Sequence, residues 1–132
     1  MEDILKKYPL LENYNVPRET FLDFETFISM LIERNEEINI ISKESAKNDV
    51  IRNRHIADSA QILEFVDLNS KNIIDIGSGG GMPGIIISIM IKNMQRNIKV
   101  NLYEKSHHKS SFLRKVSRNL ELNTEVIQKN IF

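Results

Sequence analysis

The chain has 132 residues, with 18 Lys and Arg balanced against 18 Asp and Glu, a formal net charge of +0 and a pI ≈ 6.8. That length suits one domain with a real core, and the charge balance excludes the strongly basic profile of a small dedicated nucleic-acid binder, leaving room for a local basic patch only. With no cysteine there is no disulfide framework, thiolate metal site or thiol nucleophile.

Met1 to Tyr14 mix charged and apolar residues and lack the apolar core of a signal peptide. No apolar stretch is long enough to span a bilayer, so a soluble, cytoplasmic protein is expected. Residues Met1 to about Asn15 read as a short helix or turn around Ile4, Leu5, Leu10 and Leu11. Pro17 begins a stronger helix, in which Phe21, Phe24, Ile28, Leu31 and Ile32 recur at three- and four-residue spacing and form a core face. Its polar face carries Glu25, Glu33, Arg34, Glu36 and Glu37, an acidic bias that argues against an RNA surface.

Asn35 to Ser42 breaks this helix and leads to a second one, capped by Ser42 or Ser45 and running through Val50, Ile51, Ile56, Ala60 and Leu63. Within it lies Arg54-His55-Ile56-Ala57-Asp58-Ser59. By periodicity Arg54 and Asp58 share a face, which reads as an ordinary i,i+4 ion pair beside an unremarkable His55.

Asn72 to Ile87 is the centre of the chain. Ile73, Ile74 and Ile76 form a short β-branched run that reads as a buried parallel strand. Gly77, Gly79, Gly80 and Gly81 let the backbone turn and approach a ligand closely. Pro83 suits the first turn of a helix whose apolar body is Ile85 to Ile91. Strand, glycine loop and helix N-terminus make a nucleotide-type binding corner. A dinucleotide G-x-G-x-x-G fits only as Gly79-x-Gly81-x-x-Gly84, two residues later than the strand end demands, so a nicotinamide-dependent oxidoreductase stays open as an alternative. The carboxylate of Asp75 beside the loop suits a cationic ligand better than a phosphate.

Lys92 to Asn97 is a polar connection to a second strand, Ile98 to Tyr103, closed by Glu104. Ser106 can cap the next helix, Lys109 to Leu120, with an apolar stripe of Phe112, Leu113, Val116 and Leu120. Lys105, Lys109, Arg114, Lys115 and Arg118 form a basic run that is either an RNA-phosphate contact or a solvated face. His107 and His108 point apart and have no Cys or Asp near them, so no metal site is predicted. Glu125 to Gln128 begins a third strand.

Asn39-Ile40-Ile41-Ser42, Arg54-His55-Ile56-Ala57-Asp58-Ser59 and Asp75-Ile76-Gly77-Ser78-Gly79-Gly80-Gly81-Met82-Pro83-Gly84-Ile85 occur in that order. Together they resemble the bacterial small-subunit ribosomal RNA guanine-N7 methyltransferases, also called glucose-inhibited division protein B. The resemblance implies an α/β, Rossmann-like class I S-adenosylmethionine-dependent fold, a parallel sheet preceded by N-terminal helices. It divides the chain into an N-terminal helical section, 1–68, and the first half of the methyltransferase domain, 69–132, as one continuous domain.

It further implies S-adenosylmethionine as cofactor, held by Asp75, Gly77, Ser78, Gly79, Gly81, Met82 and Glu104, the last accepting from both ribose hydroxyls. Arg54, His55 and Asp58 become RNA- or target-facing. The expected substrate is N7 of a guanine in 16S ribosomal RNA, free or in the small subunit, and the expected enzyme is a monomer. Guanine N7 already carries a lone pair, so no catalytic base is nominated. Where the family places an R-x-E segment that holds the adenine, this chain reads Asn130-Ile131-Phe132. The family's later strands are absent, which predicts an unpaired apolar edge on the first strand. A non-catalytic fragment is therefore a further alternative.

Overall fold

The computed structural model describes residues 4–11 and 16–130. Two short 3-10 turns, Ile4–Lys7 and Pro9–Leu11, precede α1, Arg18–Glu37. A continuous helical run follows: α2 at Asn48–Val50, a π-helical segment at Ile51–Ile56, α3 at Ala57–Ile62 and a 3-10 turn at Leu63–Phe65. Strands β1 (Asn72–Ile76), β2 (Lys99–Glu104) and β3 (Thr124–Gln128) alternate with α4 (Gly84–Asn93) and α5 (His107–Asn119). All pairings are parallel and the order is β1-β2-β3. This is the expected α/β class, and among the described residues β1 pairs with β2 alone.

The register sets which residues share a face. Ile73, Val100 and Thr124 stand in line, as do Asp75, Leu102 and Val126, and this face packs under α4 and α5. The opposite face carries Ile74, Ile76, Asn101, Tyr103 and Ile127. Ile74 is 61% and Ile76 50% exposed, so the expectation of a fully buried strand is corrected. A parallel strand is buried on both faces only when helices cover both, and the described helices cover one.

The N-terminal helices form a third layer, α1 and α3 packing on α4. This explains why α4 is apolar all round rather than amphipathic: Gly84 to Ile91 are all buried between sheet and outer helices. Polar contacts fix its far end. Lys92 Nζ lies 2.9 Å from Asp23 Oδ2 and donates to Leu120 O at 2.8 Å, while Asn93 Nδ2 donates to Asp23 Oδ2 at 3.0 Å.

In α1 the predicted Phe21, Phe24, Ile28 and Leu31 are buried and Ile32 is partly so, while Phe27 is buried as well and stacks 6.3 Å from Phe112 of α5. Glu25 does not belong to the solvated face assigned to it. Tyr8 donates to its Oε2 at 2.5 Å, Arg52 Nε donates to Oε2 at 2.9 Å, and Lys7 Nζ lies 3.4 Å from Oε1. Burial alone would raise the Glu25 pKa, but the Arg52 fork, the Tyr8 hydroxyl and the Lys7 charge prevail and hold it below 4.5. Tyr8 is pushed up by burial and by Glu25.

Neither serine caps the second helical run. Ser42 Oγ accepts from Ser45 N at 3.1 Å within a turn, and Lys47 precedes α2 without a side-chain cap bond. Ile4 and Leu11 are buried and Leu10 is exposed. The rest of the N-terminal expectation, at residues 1–3 and 12–15, lies outside the described residues, as do Ile131 and Phe132. No described helix is long and apolar enough to cross a membrane.

Candidate functional site: the glycine loop and its two carboxylates

The loop leaves β1 through Gly77 at φ +74, a left-handed conformation that costs a side-chain-bearing residue energy. Gly77 N and Ser78 N both donate to Tyr103 O, at 2.8 and 3.0 Å, which prolongs the pairing to β2 past the strand end. A Cβ added to Gly77 would meet nothing within 4 Å, so open space faces the backbone where a ligand would approach. Gly81 N donates to Ser78 O at 2.8 Å and Ile85 N to Gly81 O at 2.6 Å, closing the loop onto α4. Met82 is partly buried, and Pro83 stands just before the first helical residue rather than inside the first turn.

Gly84 fills a different need. A Cβ there would lie 2.4 Å from both Asp75 Oδ2 and Leu102 Cδ2, so only glycine lets α4 start this close to the sheet. Gly84 N uses that closeness by donating to Asp75 Oδ2 at 3.1 Å. Asp75 therefore binds the helix N-terminus directly. Its pKa is raised, first by burial and then by the nearby Glu104 charge, against the lowering effect of bonds from Ser78 and Gly84.

Glu104 is buried, 7% exposed, where an exposed strand-end carboxylate would be ordinary. Its Oε1 accepts from Gly79 N at 2.9 Å and its Oε2 from Ser106 N at 2.7 Å. Ser106 caps α5 as expected, its Oγ accepting from Lys109 N at 3.3 Å. Glu104 thus ties the glycine loop to the start of α5. Each oxygen keeps a lone pair for a further donor. Among the described residues no Lys or Arg forms an ion pair with Asp75 or Glu104.

A cavity of about 210 Å³ opens beside Glu104, lined also by Ile76, Gly77, Tyr103, Lys105, Lys109 and Lys129. It lies at the carboxyl ends of the strands, where open α/β sheets bind ligands. It is smaller than the roughly 300–1,000 Å³ of a complete ligand cleft, which suits a ribose and part of an attached ring. A glycine loop flanked by two carboxylates with no ion-pair partner among the described residues offers free acceptor capacity and negative potential to a ligand with hydroxyl or cationic groups.

Arg54, His55 and Asp58 do not join this cavity's lining. Arg54 and Asp58 are exposed and form no ion pair with each other among the described residues. Both lie on the exposed side of the helical run, as the shared face predicts, but the expected ion pair between them is not formed. His55 is half-buried, and its Nε2 is buried with no hydrogen-bond partner among the described residues. The basic run divides: Lys105 and Lys109 reach the strand-end cavity, while Lys115 and Arg118 line a separate cleft of about 330 Å³ facing Glu33, Arg34 and Glu37 of α1. The rings of His107 and His108 are 5.7 Å apart instead of diverging. No group of three potential metal ligands occurs among the described residues.

Two features escaped the sequence reading. Arg52 spends its guanidinium on Glu25, and Asn35 Oδ1 accepts from Ile40 N and Ile41 N at 2.7 and 2.9 Å. An asparagine just before a helix ends, followed by extended residues, was the available signal for the second.

Residues 21–131 match the family described as GidB, rRNA small subunit methyltransferase G. The chain is 76% identical over 132 residues to a protein of Pelagibacter ubique (strain HTCC1062), covering 100% of this chain and 62% of that protein. It is 38% identical over 120 residues to one of Orientia tsutsugamushi (strain Ikeda), and 33% identical over 116 residues to one of Jannaschia sp. (strain CCS1). Those matches cover 90% and 88% of this chain and 57% and 54% of the relatives. All three bear the name ribosomal RNA small subunit methyltransferase G. The chain spans between about half and three fifths of the length of these relatives.

Proposed function

Since the chain belongs to the rRNA small subunit methyltransferase G family, we propose that it carries the cofactor-binding part of an S-adenosylmethionine-dependent enzyme that methylates N7 of a guanine in small-subunit ribosomal RNA. The observation that carries this reading is Glu104, a buried carboxylate held by Gly79 N and Ser106 N beside the strand-end cavity.

When bound, the cofactor supplies an electrophilic methyl group on a sulfonium centre. The residues of the chain bind and orient. Glu104 would accept from the two ribose hydroxyls with its remaining lone pairs. Gly77, Ser78, Gly79, Gly81 and Met82 shape the loop beneath the cofactor. Asp75 adds negative potential toward the ammonium group, and no ion-pair partner among the described residues competes for it. Guanine N7 would attack with a lone pair it already has, the N7–methyl bond forming as the methyl–sulfur bond breaks and a neutral thioether leaves, so alignment would supply the rate and no general base is needed. Arg54 and His55 contact the RNA, and Asp58 stabilises the positive charge that develops on the methylated ring. Retained kcat in Asp58→Ala of the longer enzyme would remove that last role. The enzyme acts as a cytoplasmic monomer on ribosomal RNA or the small subunit, and residues 1–68 serve as the helical section on which its domain is built.

The test is calorimetric titration of S-adenosylmethionine, and separately NAD, into the 132-residue chain and its Gly79→Arg variant. Saturable binding of the first ligand alone, lost in the variant, is expected. Binding of NAD alone would overturn the reading in favour of an oxidoreductase, and binding of neither by a folded chain would show that the site needs further strands, to be tested by the same titration on a longer chain.

A further inference from the structure

We infer that Asn35 is a positioning residue for the cofactor loop, acting through Ile40 and Ile41 on Gly80; this rests on the proposed reading of that loop as the cofactor site. Helix α1 ends at Glu37, and Ile38 turns extended at φ −137. The chain then has to double back, and one oxygen organises the turn: Asn35 Oδ1 accepts from Ile40 N at 2.7 Å and from Ile41 N at 2.9 Å. Both lone pairs of that oxygen are used, which fixes the directions of two consecutive peptide groups.

Those two residues reach the loop. A Cβ built on Gly80 would lie 3.0 Å from Ile41 Cγ2, 3.3 Å from Ile40 Cγ2 and 3.7 Å from Leu31 Cδ1. The aliphatic side chains therefore lie directly over the Gly80 backbone, with Ile40 itself only 4% exposed. Next to it, Gly79 N is held by Glu104 Oε1. The Gly79–Gly80 step is gripped between a carboxylate of β2 and an aliphatic cover set by Asn35. The N-terminal section thereby governs how rigid the loop is before a ligand arrives, and rigidity in the bound shape is affinity.

Asn35→Leu keeps the side-chain shape and removes the acceptor, while Asn35→Asp keeps an acceptor oxygen. Ile41→Ala removes the cover and leaves both hydrogen bonds, which keeps the idea testable if the leucine variant does not fold. Amide hydrogen exchange across 77–84 is compared with that across 99–104 in the whole chain, followed by calorimetric titration of S-adenosylmethionine. In Asn35→Leu and Ile41→Ala, loop exchange should quicken by about tenfold with the β2 segment unchanged, and the Kd should weaken by about tenfold, the size expected when a hydrogen bond (Asn35→Leu) or a few packed methyl groups (Ile41→Ala) are lost. Asn35→Asp should restore both. Unchanged loop exchange in both variants, or an equal rise in loop and strand, would overturn the inference. A parent chain that binds no cofactor would count against the proposed function instead, and the exchange comparison still decides the role of Asn35.

Discussion

Gly84 and Asp75 are in such close contact that a methyl group on the glycine would lie 2.4 Å from the Asp75 carboxylate oxygen. The glycine hydrogen is what permits the 3.1 Å bond from Gly84 N to that oxygen. Gly84→Ala must push α4 off the sheet, and overpacking of this kind costs about 3 kcal/mol. Urea denaturation should show a lower midpoint by that measure; an unchanged midpoint would mean that the helix start can shift without loss.

Asp75 has a raised folded pKa, caused first by burial. The folded chain therefore holds the carboxyl proton more tightly than the unfolded chain, and stability falls as pH climbs from 3.8 through the folded value. Asp75→Asn keeps an acceptor for Gly84 N and removes that loss. The variant should be more stable than the parent at pH 7, with the gap narrowing toward pH 4, while its affinity for S-adenosylmethionine drops. Urea midpoints at the two pH values, with one titration, check both halves.

Glu25 behaves in the opposite sense. Its folded pKa lies below 4.5, so its contribution is present above that pH and is lost as the pH falls through the folded value. Glu25→Gln should cost about 2 kcal/mol at pH 7, less than the loss for a fully buried pair. Its stability should then decline less steeply than the parent's below pH 4.5. Parallel acid limbs for the two proteins would show that Glu25 is not coupled to Arg52 as the geometry requires.

Arg54 is exposed and has no ion-pair partner among the described residues. Arg54→Ala should shift stability by no more than about 0.5 kcal/mol. In the longer enzyme, RNA affinity should fall by about tenfold and the salt dependence of binding by about one unit of slope. Equal affinity for the variant would take Arg54 out of the RNA interface.

Much of the site was legible because backbone chemistry writes it into residue types. Glycines at 77, 79, 80 and 81 after a β-branched run cannot be mistaken for helix or strand interior, and the serine at 106 announces a helix start. Other features were hidden for physical reasons. Helical periodicity put Arg54 and Asp58 on one exposed face, but a shared face does not decide whether two solvated side chains pair. It also counted Glu25 as solvated, because the partners that bury it, Tyr8 and Arg52, lie 17 and 27 residues away. The exposure of Ile74 and Ile76 depended on which face the helices cover, a property of the whole topology rather than of β1.

Helix α4 is apolar along most of its length, with Ser88 as its one polar side chain between Gly84 and Ile91. Burial holds such a helix firmly, and the close approach at Gly84 already decides which flank faces the sheet. Polar contacts hold both of its ends: Asp75 on Gly84 at the loop, and Asp23 with Lys92 and Asn93 roughly 15 Å away along the axis. Asp23, on the outermost layer, therefore anchors the end of the same helix whose other end closes the glycine loop, so the N-terminal section and the loop share one rigid element.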